Sequence, residues 1–116
     1  MALPKYAARE NERRFLIAHG QAPDLKGAAC SLIKDLYVRD TRLRLRSMTD
    51  PATGHRIFKL CKKYPTDDPA SGPIVNVYLS SEEFALLSRL PGWFIRKKRH
   101  RLEADGRTFA VDVFQG

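Results

Sequence analysis

The sequence predicts a single α+β domain that is mainly β, folded as an antiparallel sheet or partly closed barrel with one or two short helices. A hydrophobic period of two dominates. Arg42-Leu-Arg-Leu-Arg46 alternates strictly, and Phe109, Val111 and Val113 share one face opposite Ala110 and Asp112. Turn signals break the chain at short intervals: Asp50-Pro-Ala-Thr-Gly-His55, the proline-rich segment from Tyr64 to Pro73, and Asp105-Gly106, a strong hairpin signal. Helical signals occur in only two places.

Taken in order, the first strand is predicted over 8–18, followed by an irregular helix of a couple of turns from Asp24 to Leu36. Strands follow over 35–48, 55–64 and 73–80. The better helix starts at Ser80, an N-cap residue with Glu82 and Glu83 in the first turn, where acidic side chains complement the helix dipole. Phe84, Leu86, Leu87 and Leu90 supply its apolar side, and Pro91-Gly92 stops it. The last two strands are predicted over 93–103 and 107–114, joined by the Asp105-Gly106 turn.

The chain has 116 residues, 43% of them hydrophobic, which suits one globular domain with a core. No apolar run is long enough to span a membrane, so no membrane partner is expected. Met1-Ala-Leu-Pro-Lys-Tyr6 does not read as a secretory leader, which points to a cytoplasmic location. Cys30 and Cys61 form no CxxC pair and read as reduced thiols, and His19, His55 and His100 lack ligand spacing. Against 13 Asp and Glu stand 21 Lys and Arg, a formal charge of +8 that calls for an anionic partner.

Charged residues recur at spacing two, which places like charges on one face of a strand. Glu10, Glu12 and Arg14 share a face of the first strand; Arg42, Arg44 and Arg46, then Lys59 and Lys63, then Lys97, Arg99 and Arg101 do the same further on. On a flat sheet such faces are solvated. On a curled sheet they can point inward, where concentrated cations need an anion of high charge density such as a polyphosphate. Two carboxylates at spacing two then suit Mg²⁺ or Mn²⁺, which take hard oxygen ligands and bridge to phosphate.

Glu10-Asn-Glu-Arg-Arg-Phe-Leu-Ile17 resembles the ExExK strand that opens the CYTH domain of the triphosphate tunnel metalloenzymes. That group includes class IV adenylate cyclases, thiamine triphosphatases and inorganic triphosphatases. Later blocks resemble the family in the same order: Leu36 to Arg46 its RxR strand, Phe58-Lys-Leu-Cys-Lys-Lys-Tyr64 its lysine strand, and Tyr78 to Phe84 the start of its middle helix. Ile95-Arg-Lys-Lys-Arg-His100 resembles a KxR strand, and Phe109 to Gly116 a VDVFxG strand. The resemblance implies an antiparallel tunnel barrel that binds inorganic or organic triphosphates and hydrolyses them with Mg²⁺ or Mn²⁺. Carried over by position, Glu10 and Glu12 would hold the metal, and Arg14, Arg44, Arg46, Lys59, Lys63, Lys97 and Arg99 the phosphates. Lys62 is the alternative to Lys63, Arg14 replaces the usual lysine, and no catalytic residue is assigned.

Three features depart from the family pattern. Asn76-Val-Tyr78 stands where many members carry an acidic pair, and His100 where they carry tyrosine. The family's closing strands have no counterpart before Gly116, so residues 1–116 are expected to form an incomplete barrel whose open edges favour self-association. Asp112 either orients a tunnel cation or forms a structural ion pair. The competing reading is a noncatalytic nucleic-acid-binding module, with the run Arg96 to Arg101 on phosphates and Trp93, Phe94 and Tyr78 stacking on bases.

Overall fold

Alternating side chains become paired strands along most of the chain. The computed structural model describes residues 3–18 and 20–115. The elements are β1 (Ala8–Asn11), β2 (Ala29–Val38), β3 (Leu43–Thr49), β4 (Arg56–Lys63), β5 (Ser71–Leu79), α1 (Ser81–Leu87), β6 (Gly92–Ala104) and β7 (Arg107–Gln115). All seven strands lie in one curled sheet of order β1-β5-β4-β3-β2-β6-β7, with every neighbouring pair antiparallel. The sheet is a half-barrel, and β1 and β7 are its two free edges. Its Cα radius of gyration is 15.6 Å, against roughly 13 Å for a closed compact domain of this length.

Three sequence expectations are corrected. The segment expected as a helix from Asp24 to Leu36 contains the start of β2, because pairing with both β3 and β6 overrides weak local helical preference. The expected strand 35–48 is a hairpin. Its turn has no glycine or proline: Asp40 takes a positive φ of 60°, a conformation Asp tolerates, while the Thr41 hydroxyl donates to Val38 O at 2.9 Å. The expected strand 8–18 ends at Asn11. Its partner β5 starts at Ser71, opposite Asn11, and the last backbone bond runs from Glu12 N to Ala70 O at 2.7 Å. Beyond it, residues 13–18 have no regular structure.

The other strand boundaries lie within two residues of expectation, whereas α1 ends at Leu87, three residues before the expected Leu90. Asp105 and Gly106 both have positive φ, 52° and 71°, as a two-residue hairpin of the expected kind requires. Ser80 caps α1 as predicted: its Oγ accepts from Glu83 N at 3.1 Å, and Glu83 Oε1 accepts from Ser80 N at 2.8 Å. The helix has only seven residues, and Leu86 and Leu90 stay exposed. Among the described residues α1 is the one helix, too short to cross a membrane.

The two faces of the sheet carry different chemistry. Leu36, Val38 and Leu45 form the core on one face, covered by Phe84 and Leu87 of α1 together with Leu43, Leu60 and Leu79. Phe84 packs on Phe58 with ring centroids 4.9 Å apart. The other face bears Asp35, Arg44, Arg46, Lys59, Lys97, Arg99 and Asp112 at alternate positions, while Lys34, Lys62, Arg96 and Lys98 share the α1 side.

Candidate anion-binding face

Register brings the charged positions of separate strands into rows. Asp35 of β2 stands opposite Arg46 of β3, which stands opposite Lys59 of β4, which faces Tyr78 of β5. The adjacent row is Tyr37, Arg44, Cys61 and Asn76. Ile33 faces Lys97 and Ser31 faces Arg99, whose partners on β7 are Phe114 and Asp112. Side chains opposite one another on antiparallel strands point to the same side. Arg44, Arg46, Lys59, Lys63, Lys97 and Arg99, read from spacing alone, therefore all lie on the face away from α1.

Carboxylates occupy several of these cations. Arg46 Nε and Nη2 donate to Asp35 Oδ1 and Oδ2, both at 2.8 Å, and the pair is almost wholly buried, with side-chain exposures of 6% and 1%. Arg99 Nε and Nη2 donate to Asp112 Oδ1 at 2.8 Å and Oδ2 at 3.0 Å, and Lys97 Nζ lies 2.8 Å from the same Oδ2. Asp112 is thus a structural ion-pair partner. Burial acts to raise its pKa, but hydrogen bonds from Arg99 and Lys97 outweigh this and hold the carboxyl well below the usual range.

At the other end of the face, Lys63 Nζ lies 3.0 Å from Glu10 Oε1 and 3.6 Å from Glu12 Oε2. Arg14 Nε donates to Glu12 Oε1 at 3.0 Å, but Arg14 is mostly exposed and lies beyond β1. Burial acts to raise the Glu12 pKa, while Arg14 and Lys63 outweigh it and keep the carboxyl below its ordinary value. Glu10 and Glu12 thus converge on Lys63, a residue expected on phosphate. No group of three or more His, Cys, Asp or Glu able to hold a metal occurs among the described residues. Mg²⁺ in general is bound through one or two carboxylates, keeps several waters and takes remaining ligands from substrate phosphate.

Arg44 and Lys59 are different. Among the described residues neither has a carboxylate partner. Arg44 Nη2 donates to Cys61 Sγ at 3.4 Å, and the Cys61 thiol donates to Asn76 Oδ1 at 2.8 Å. Arg44 Nε is buried and unpartnered; the other such atom, His100 Nδ1, is on the opposite face. Burial lowers the Lys59 pKa; Cys61 opposes the shift, and Arg46, Arg44 and Arg99 add to it. Burial acts to lower the Arg44 pKa, but Cys61 and the Asp35 charge outweigh it, and the middle of the face holds two cations with no direct carboxylate partner among the described residues.

Charge spacing along the chain does not reveal Asp35, Cys61 or the role of Asn76 as a thiol acceptor. Asp35 shares parity with Ile33 and Tyr37, but it lies where the expected helix 24–36 and the expected strand 35–48 overlap, which hides the signal. Of the aromatic residues considered for base stacking, Phe94 points to the α1 face and Tyr78 and Trp93 to the charged face, so they make no common platform. Trp93 carries the Arg39 guanidinium 5.6 Å over its ring, and Phe94 the Lys34 ammonium at 4.7 Å. His19 lies outside the described residues.

No protein family, curated protein or solved structure matches this chain.

Proposed function

We propose that the charged face binds a triphosphate-containing compound, inorganic or organic, and supports its Mg²⁺- or Mn²⁺-dependent hydrolysis. One observation carries this reading: Arg44, with a buried and unpartnered Nε, and Lys59, diagonal to it in the adjacent row, both lack a carboxylate partner among the described residues. A compact anion of high charge density offsets their desolvation, whereas solvent at an open sheet does so only in part. Arg46, Lys97 and Arg99 extend the positive field but are held in place by Asp35 and Asp112. Their role is orientation of the phosphates at fixed positions, the main resource available to a protein for phosphoryl transfer.

Glu10 and Glu12 would hold the divalent ion. When bound, the ion supplies charge neutralisation at phosphate oxygens. Lys63 is paired with both carboxylates and, as an ammonium without a lone pair, would serve the phosphate and not the ion.

Calorimetric titration with inorganic triphosphate, with and without Mg²⁺, and with a single-stranded oligonucleotide as competitor, tests the binding. Saturable binding strengthened by Mg²⁺ and weakened by Glu12→Gln is expected, with phosphate release following in a turnover assay. Affinity no better than the oligonucleotide's, falling steeply with salt, would leave a basic surface for nucleic acid.

A further inference from the structure

We infer that two copies of this chain join edge to edge through β7 on a two-fold axis, independently of any polyphosphate. β7 is a nine-residue edge strand whose outer backbone groups are unpaired among the described residues. It carries no lysine, proline or bulge of the kind that normally blocks strand addition. Phe109, Val113 and Phe114 are 45%, 45% and 64% exposed on it.

Strand polarity selects the occupant. Six successive antiparallel pairings leave β1 and β7 running in the same direction. These seven strands do not close into a barrel by the antiparallel pairing used everywhere else in the sheet. A two-fold axis perpendicular to β7 makes β7 of one copy antiparallel to β7 of the other, an isologous contact. In a half-barrel the two edges are opposite rims, so the same axis passes between the two β1 edges and sets them antiparallel as well.

The residues at those rims suit such seams. Centred on Val111, the β7 register overlaps the full strand and places Phe109 opposite Val113 of the second copy and Asp112 opposite Ala110; no like charges meet. Beside the other rim, Phe15, Leu16 and Ile17 are 81%, 102% and 49% exposed in the irregular segment that follows β1. Covering these six side chains in both copies removes on the order of 1,000 Å² from water before any backbone is counted, close to the roughly 1,200 Å² of a stable interface. A net charge of +8 per chain opposes the association, so it strengthens as salt screens the repulsion.

Sedimentation equilibrium of the full chain from low to high micromolar concentration, combined with amide hydrogen exchange, tests the inference. Twice the chain mass, with protection of residues 107–115 and 13–17 rising with concentration, is expected. Val111→Lys and Val111→Glu should each be monomeric at the concentration where the parent chain is dimeric, and an equal mixture of the two should restore the dimer. A parent chain that is monomeric throughout, or a dimer whose β7 amides exchange as fast as in the monomer, overturns it. Because the exchange readout uses the unsubstituted chain, misfolding of a variant does not decide the outcome.

Discussion

Asp35 and Arg46 meet through two parallel hydrogen bonds of 2.8 Å in a site almost closed to solvent, on the two central strands that carry the core on their reverse side. The carboxylate accepts both donors in the fork geometry that matches guanidinium. It offsets the buried charge of Arg46 before any ligand arrives, and thereby distinguishes Arg46 from Arg44 one row away.

Removing one member should therefore cost much more than removing both. Asp35→Ala leaves the Arg46 guanidinium buried and unpaired, with an expected loss of about 3–5 kcal/mol. Asp35→Leu combined with Arg46→Met should lose far less, since it removes the uncompensated charge. Urea denaturation of the two variants and the parent chain measures the difference.

Lys59 should trade stability for binding. Burial and the neighbouring arginines lower its pKa from 10.5, so between the lowered value and 10.5 the unfolded chain binds more protons than the folded one. Stability gains from Lys59 as pH rises through that window, and below it the charged lysine is a liability. Lys59→Met is expected to unfold at a higher temperature than the parent at neutral pH, with the advantage shrinking as pH rises, while losing triphosphate affinity. Thermal melts across pH and a parallel titration check both halves.

Asp112 should govern part of the acid limb. Its folded pKa lies well below the ordinary 3.8, so the stability it contributes is complete above that value and disappears as pH falls through the folded one. Asp112→Asn is expected to be less stable at neutral pH because Lys97 and Arg99 lose their shared partner. The gap to the parent should narrow progressively below pH 3.8. Denaturant midpoints measured over the acid range report it.

Gly92 should tolerate no side chain. A Cβ placed there would lie 2.1 Å from Tyr37 O and 2.9 Å from Tyr37 C, both backbone atoms of the central strand β2. Gly92→Ala must push β6 away from β2, at an expected cost of about 1–3 kcal/mol. A lower urea midpoint with an unchanged slope would show a loss of stability without a change in the unfolding transition.

The sequence alone determined the features that depend on neighbours along the chain. Alternation placed Arg44, Arg46, Lys59, Lys97 and Arg99 on common strand faces, Asp105-Gly106 made its hairpin, and Ser80 with Glu83 capped the helix. Each is governed by backbone sterics or by hydrogen bonds a few residues apart. Tertiary structure decided what requires a partner distant in sequence. Ala29–Val38 became a central strand because it is paired on both sides, and β1 stopped at Asn11 because β5 begins opposite it. The same long-range register gave Arg46 to Asp35, and Lys97 and Arg99 to Asp112, while leaving Arg44 and Lys59 with no carboxylate among the described residues. Period two determines which way a charge points, but only strand pairing determines which charge it meets.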